Sequence, residues 1–240
     1  MIAAALRHLN ALVAGTQYRA LYEPATFVGH YHSLTDVPKP TTFDKAFVEE
    51  RLPGALAKPT LQSTNPLAIL VATTQPNTVI DFGGSLKQGW REILGMSSFY
   101  PDYVLVELPE ICRVASKVCV TGFSTTQIPT DIPKPCIVNV ASSLQYVLNW
   151  HHTLRDLTAL KPTHFIIANT PVSDEVTYAR CQVNGRRRRL PCWVFSYCEL
   201  QETMRVNGYK QVYNRIHPEN YKHTGALSPS WYATMIFTPA

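Results

Sequence analysis

From about residue 78 onward, short unbroken apolar runs alternate with longer stretches that repeat apolar residues at helical spacing. The runs are Val79-Ile80-Asp81-Phe82, Tyr103-Val104-Leu105-Val106-Glu107, a weaker Cys119-Val120-Thr121-Gly122, Cys136-Ile137-Val138-Asn139-Val140 and His164-Phe165-Ile166-Ile167-Ala168. In each of them apolar residues follow one another rather than alternating with polar ones, which marks strands covered on both faces. The helical stretches between and after them fall at about 87–96, 109–117, 145–160 and 198–207. This alternation predicts an α/β, doubly wound fold on a mostly parallel sheet. The tail differs: Lys210–Asn214 and Tyr232–Phe237 are strand-like with no room for a helix pair between them, and predict an antiparallel pair at the end of the sheet.

Ahead of the first run the pattern is helical. Residues 2–22 bring Leu6, Leu9, Leu12 and Val13 near one face, and 23–42 reads as a loop with Pro24, Gly29, Pro38 and Pro40. A second helix is predicted from Phe43 to Leu52, capped by Thr41 or Thr42 and stopped by Pro53-Gly54, and another helical stretch precedes Pro76. The division that follows is a helical or lid segment over residues 1–60, packed on one compact domain over 61–240. Arg7, His8 and Asn10 interrupt the apolar start, which suits an amphipathic helix better than a secretion leader. No apolar run is long enough to span a membrane, and a cytoplasmic protein is expected.

Charge changes this picture less than its total suggests. The 240-residue chain carries a formal +5, but Arg186, Arg187, Arg188 and Arg189 supply four of those charges, leaving 5 − 4 = +1. A basic face for nucleic acid is therefore not expected. The arginine run reads as a solvated loop, with a local anion contact as the alternative. The six cysteines form no CxxC pair and several sit inside apolar runs, so they read as reduced, small hydrophobes rather than disulfide partners or metal ligands.

In an open α/β sheet a ligand binds beyond the carboxyl ends of the strands. That rule selects the turn Asp81-Phe82-Gly83-Gly84-Ser85, Glu107, Thr121–Phe123, Ser142–Tyr146 and Asn169–Pro171. Two successive glycines let a backbone approach a ligand or take a positive φ, although the full GxGxxG spacing is missing and a plain strand-to-helix turn would look the same. Glu107 ends a very apolar strand with a carboxylate able to accept both ribose hydroxyls of an adenosine, or stands there as an ordinary strand-end charge. It lies 107 − 81 = 26 residues beyond Asp81, somewhat more than the roughly 20 of a dinucleotide fold.

The ordered series VIDFGGS, VLVELPEI, ASSLQYVLNWHHTL, FIIANTP, CQV, LPCWVF and NGYK resembles a family of S-adenosylmethionine-dependent methyltransferases associated with surface-polysaccharide and glycan biosynthesis. The likeness runs from about residue 27 to 215, with a weaker echo in GHYHSL and TTFDKAF. It implies a Rossmann-like class I methyltransferase fold, a seven-stranded sheet whose last strand is antiparallel, with N-terminal helices. It also implies S-adenosylmethionine as cofactor. By position, Asp81, Gly83, Gly84 and Ser85 would underlie its methionine part, and Glu107 with Leu108 its ribose. Thr121, Gly122 and Phe123 would border the adenine, and Ser142, Ser143, Gln145 and Tyr146 would lie near the sulfonium and the acceptor. Two departures bear on the acceptor: Ala168-Asn169 stands where the family commonly has Asp-Arg, and Arg189-Leu190 precedes Pro-Cys-Trp.

An alcohol acceptor needs a group to take its proton. His151 and His152 open the helix after the fourth strand and are the expected bases, with Gln145, Tyr146 and Asn169 positioning a sugar hydroxyl; a surface or capping role is the alternative for each histidine. His30 and His32 are expected in a lid loop, and Asp174 is a further carboxylate. No metal is expected, because the relevant segments are short of acids. The acceptor is expected to be a small molecule or glycan; the oligomeric state has no sequence signal. Two other readings remain open: a nicotinamide-dependent sugar-modifying enzyme, which lacks its Tyr-x-x-x-Lys pair here, and a non-catalytic methyltransferase-like binding module. If the arginine run is only a loop, replacing Arg186–Arg189 by serine should abolish retention on heparin, and retention that survives would reveal a second basic surface.

Overall fold

The computed structural model describes residues 26–38, 40–41, 66–86, 88–118, 123–184, 188–217, 222–224 and 230–240. The helices expected over 2–22 and 43–52, and the strand expected over 119–122, lie outside these residues.

The elements are β1 Thr26–Tyr31, α1 Leu67–Thr74, β2 Thr78–Phe82, α2 Gln88–Met96, β3 Asp102–Val106, α3 Pro109–Val118, β4 Phe123–Thr125, β5 Cys136–Ala141, α4 Trp150–Ala159 and β6 His164–Ser173. Beyond them come β7 Tyr178–Asn184, β8 Arg188–Ser196, α5 Tyr197–Val206, β9 Tyr209–His217, β10 Lys222–Thr224 and β11 Ser230–Pro239. Seven strands form the main sheet in the order β4-β3-β2-β5-β6-β11-β9. β4, β3, β2, β5 and β6 run parallel. β11 is antiparallel to both β6 and β9. The expected antiparallel pair is thus present, with the last strand inserted between β6 and β9 rather than lying outermost.

Alternation across the pleat divides the core into two layers. Val79, Tyr103, Leu105, Ile137 and Ile166 face α1, α2 and α3, where Leu67, Val71, Trp90, Ile93, Ile111 and Ala115 are buried. Ile80, Val104, Val138, Phe165 and Ile167 face α4 and α5, meeting Trp150, Leu154, Leu157, Leu200 and Met204. Helices on both faces explain why the strands read as unbroken apolar runs.

Three expectations change. The helix predicted from 145 begins at Trp150, preceded by a 3-10 turn at Leu144–Tyr146. The Val147 carbonyl accepts the indole N–H of Trp193 at 3.0 Å, so it is used in tertiary packing rather than in a helical ladder. The loop expected over 23–42 contains strand β1, which pairs with β7. Of the arginine run, Arg186 and Arg187 lie outside the described residues, while Arg188 and Arg189 open β8 rather than a loop, and the Arg189 backbone exchanges hydrogen bonds with Thr41. β10, β1, β7 and β8 make a second sheet joined to the first at one point, where Val172 and Ser173 pair with Phe195 and Ser196. Among the described residues no helix is long and apolar enough to cross a membrane.

Candidate functional site

Parallel register brings the carboxyl ends of β2, β3, β5 and β6 side by side, with Phe82 opposite Val106 and Val140, and Ala141 opposite Ala168. Everything selected from the sequence in Asp81–Ser85, Glu107–Leu108, Ser142–Gln145 and Asn169 is therefore collected at one end of the sheet. The turn after β2 is fastened at several points. Gly83 has φ +70°, donates its N–H to the Val106 carbonyl at 2.8 Å, and lies so close to Ser143 that an added Cβ would fall 2.1 Å from that residue's Cβ. The Ser143 hydroxyl in turn donates to the Phe82 carbonyl at 2.7 Å.

Asp81 lies beneath this turn rather than on it. Its side chain is 1% exposed, and its Oδ1 accepts the Asn139 side-chain N–H at 2.7 Å while Oδ2 accepts the Tyr103 hydroxyl. Burial raises the carboxyl above its usual range, and the hydrogen bonds from Tyr103 and Asn139 pull it back. Gly84 closes the space above: a Cβ there would sit 2.0 Å from Oδ2. Gly89 of α2 closes it from the side, at 2.9 Å by the same measure.

Glu107, half-buried at the end of β3, accepts the Ser85 N–H at 3.0 Å and the Leu108 N–H at 2.8 Å. Main chain from two loops thereby orients this carboxylate, and Leu108 flanks it as an exposed apolar side chain. Ser142 and Asn169 form a pair across the ends of β5 and β6. The Asn169 amide donates to Ser142 Oγ at 2.6 Å, and the Ser142 hydroxyl to the Asn169 carbonyl at 3.3 Å. Three of the five non-glycine residues with positive φ among the described residues belong here, Ser85 at 54°, Ser142 at 54° and Asn169 at 50°. Such backbone persists where the surroundings over-determine it, and it gathers at functional sites.

Gln145 is buried, and its Oε1 has no hydrogen-bond partner among the described residues. Tyr146 donates its hydroxyl to Gln182 Oε1 at 2.7 Å, fastening β7 to the turn. Gly122 lies outside the described residues, and Phe123 opens β4.

The histidines are not gathered with the rest. His152 is exposed on α4, with Nε2 3.3 Å from Asp156 one turn along and Nδ1 against Arg155. His151 stacks on Trp150, ring centroids 3.5 Å apart, and its Nε2 meets Glu199 of α5 at 3.2 Å. His30 stands in β1, stacked on Tyr178 at 4.3 Å, not in a loop; His32 and Asp174 are exposed.

Four residues at this end were not anticipated as functional from the sequence: Tyr103 and Asn139 beneath the turn, and Thr234 and His217 behind Asn169. Thr234 Oγ1 accepts the Asn169 N–H at 3.2 Å and lies 2.8 Å from Nε2 of buried His217. Burial, and then Arg215, lower the pKa of His217. The neutral ring is thereby favoured, able to accept the threonine hydroxyl. Asn139 was visible only as a polar residue inside an apolar run, a signal that means nothing until register sets it opposite Asp81. Among the described residues no three His, Cys, Asp or Glu side chains are grouped to hold a metal ion.

The chain aligns in fold with solved methyltransferases. The fold is that of the class I methyltransferases. Magnesium protoporphyrin IX methyltransferase from Synechocystis PCC 6803, solved with S-adenosylhomocysteine, aligns with a TM-score of 0.56 at 10% identity, over 82% of this chain and 97% of its own. The 1,6-didemethyltoxoflavin-N1-methyltransferase of Burkholderia thailandensis, with bound 1,6-didemethyltoxoflavin and S-adenosylhomocysteine, aligns with a TM-score of 0.53 at 17% identity, over 81% of this chain and 86% of its own. The N-terminal domain of EvdMO1, solved in the presence of S-adenosylhomocysteine and D-fucose, aligns at 0.50 and 11%, over 75% and 84%. No protein-family model and no curated relative matches the sequence.

The contact between Gly84 and Asp81 makes a direct prediction about this class I turn. Gly84→Ala must displace either the turn or the carboxylate, and should cost about 1–3 kcal/mol in denaturant unfolding. An alanine variant as stable as the parent would mean that the turn does not close on Asp81.

Proposed function

We propose that the chain is an S-adenosylmethionine-dependent methyltransferase acting on a hydroxyl of a small-molecule or glycan acceptor. One observation carries this reading: a glycine turn and a main-chain-oriented carboxylate, Glu107, stand at adjacent carboxyl ends of a class I sheet and touch through the Ser85 N–H. The residues suit such a ligand. The glycines at 83 and 84 let the turn close on Ser143 and Asp81, which fixes its backbone beside Glu107. Glu107 has the acceptor oxygens that a pair of ribose hydroxyls requires. Gln145 Oε1 is a buried acceptor without a donor among the described residues, the kind of group that a bound ligand satisfies. Thr121, Gly122 and Phe123 would border the adenine, as the sequence resemblance implies.

The cofactor would supply an electrophilic methyl group on sulfur, and the hard chemistry is its own. What this chain contributes is alignment, exclusion of water and removal of one proton. Ser142 and Asn169, interlocked across two strand ends, would hold the acceptor, with Gln145 beside them and Tyr146 fixing the turn. Neither histidine stands among the strand-end residues, and a base from this helix would have to reach the acceptor from the rim; of the two, His151 is the better candidate. Its ring is held by Trp150 and by the Glu199 carboxylate, in the arrangement of a base oriented by a third group. His152 is paired with Asp156 of its own helix. A sugar hydroxyl as acceptor is supported by the resemblance to glycan-associated methyltransferases, and by the likeness in fold to a domain solved in the presence of D-fucose.

Calorimetric titration tests the cofactor reading. S-adenosylmethionine and S-adenosylhomocysteine should bind and NAD should not. Glu107→Ala should weaken both sulfur ligands by about 10–100-fold, the loss expected when hydrogen bonds to a charged group go. No binding of either ligand would instead favour the non-catalytic module. Once an acceptor is found, turnover should survive chelation of divalent ions and fall at least about 100-fold in His151→Ala, the scale of general-base catalysis. Near-normal turnover in both His151→Ala and His152→Ala would remove the histidines from the mechanism.

A further inference from the structure

Asp81, Tyr103 and Asn139 belong to three neighbouring strands and point into the layer shared with α1 and α2. Asp81 and Asn139 are register partners, and Tyr103 stands beside Val79, two residues back along β2. All three side chains are almost wholly buried. On the side of the turn the backbone at Gly84 lies directly over the carboxylate, and Gly84 is itself half-exposed. A buried carboxyl group therefore lies beneath the backbone of the turn that the preceding reading gives to the methionine part of the cofactor. That part of the ligand carries an ammonium group.

We propose that Tyr103 is a positioning residue of the cofactor site: with Asn139 it keeps the Asp81 carboxylate ionised beneath Gly84, where its charge favours a ligand bearing an ammonium group. The inference rests on the turn being the cofactor site. Tyr103 acts through Asp81 and touches no ligand. Its hydroxyl is a dependable donor, because burial, the Asp81 charge and the hydrogen bond to it push the phenol well above its usual range. Asn139 adds a donor that does not titrate. Around the carboxylate, β3 contributes the titrating Tyr103, and Glu92 of α2 acts on that phenol. β5 contributes Asn139, and α1 packs the apolar Leu67 against Gly89.

The sign follows from linkage. Burial raises the Asp81 carboxyl, and the two donors lower it. An ammonium ligand prefers the carboxylate, so its affinity should fall as pH drops through the carboxyl's pKa. Removing the phenol hydroxyl takes away a bond to the charged form and should move that fall to higher pH.

The experiment is titration of the full chain with S-adenosylhomocysteine from about pH 5 to about pH 8, a range in which the ligand's own amino and carboxyl groups keep their charge. In Tyr103→Phe the midpoint of the affinity loss should rise by about one pH unit. Binding at the parent's midpoint should weaken about fivefold, approach a tenfold loss at lower pH, and recover toward the parent value at the alkaline end, since one unit is a tenfold change. In Asp81→Asn the pH dependence should vanish. A Tyr103→Phe curve lowered equally at every pH would make the hydroxyl a packing feature and overturn the proposal alone. A parent protein that binds no S-adenosylhomocysteine at any pH would overturn the cofactor reading, and the proposal with it. Should Tyr103→Phe fail to fold, Asn139→Ser removes the other donor from the same carboxylate and carries the same test.

Discussion

A carboxylate inside a sheet covered on both faces has to be satisfied by the chain itself, because an isolated ion in that surrounding would cost many kcal/mol. Asp81 meets this with two donors from the strands on either side, Tyr103 and Asn139. Much of the local architecture follows. Bringing the turn down over the carboxylate excludes a Cβ at Gly84, and bringing α2 alongside leaves room only for glycine at Gly89. With the turn in that position the Ser85 N–H reaches Glu107, and Ser143 reaches the Phe82 carbonyl. The buried Asp81 side chain, the glycines and the strand-end carboxylate are one mechanical unit.

A second unit grows from β6. That strand is ten residues long, pairing with β5 along its first half and with β8 at its last two residues, so a small sheet continues past the end of the large one. Its hairpin is fastened to the turn after β5 at two places, Tyr146 to Gln182 and Trp193 to Val147. Arg180 locks its other flank. The guanidinium, fully buried, donates to the carbonyls of Phe27 and Gly29 on β1, where the ladder between β1 and β7 is irregular and Gly29 has φ +78°. Charge-assisted hydrogen bonds to carbonyls are what make a buried arginine tolerable there.

What could be read from the sequence was whatever depends on short stretches. The apolar runs, the intervening helices and the antiparallel tail all follow from local pattern, and the ends of the parallel strands already named Glu107, Ser142 and Asn169. What escaped depends on partners far away in the chain. β1 is a glycine-containing segment that becomes a strand only because β7 and β10 flank it. Asn139 and Tyr103 acquire meaning through register with β2. His217 matters because a β11 strand arriving from the far end of the chain carries Thr234 to Asn169. The histidines at the start of α4 were expected to face the acceptor because of their place after β5. Placement after a strand does not set the direction of a side chain, and on a helix two consecutive residues point about 100° apart. One ring consequently meets α5 while the other follows its own helix.

The same logic of over-determination accounts for the backbone at the strand ends. A non-glycine residue held in the left-handed region costs on the order of 1 kcal/mol, and three of them stand together here. Each is fastened. Ser85 has its N–H on Glu107, Ser142 has its N–H on the Ala168 carbonyl and its hydroxyl on Asn169, and Asn169 has its N–H on Thr234. Glycine would relieve the strain at each position, but it would widen the unfolded ensemble and lose the hydroxyl or amide that ties neighbouring strand ends together. Serine and asparagine are the residues that tolerate this backbone while still offering a hydrogen-bonding group. Their presence in place of glycine is what ties three strand ends into one rigid, pre-formed surface.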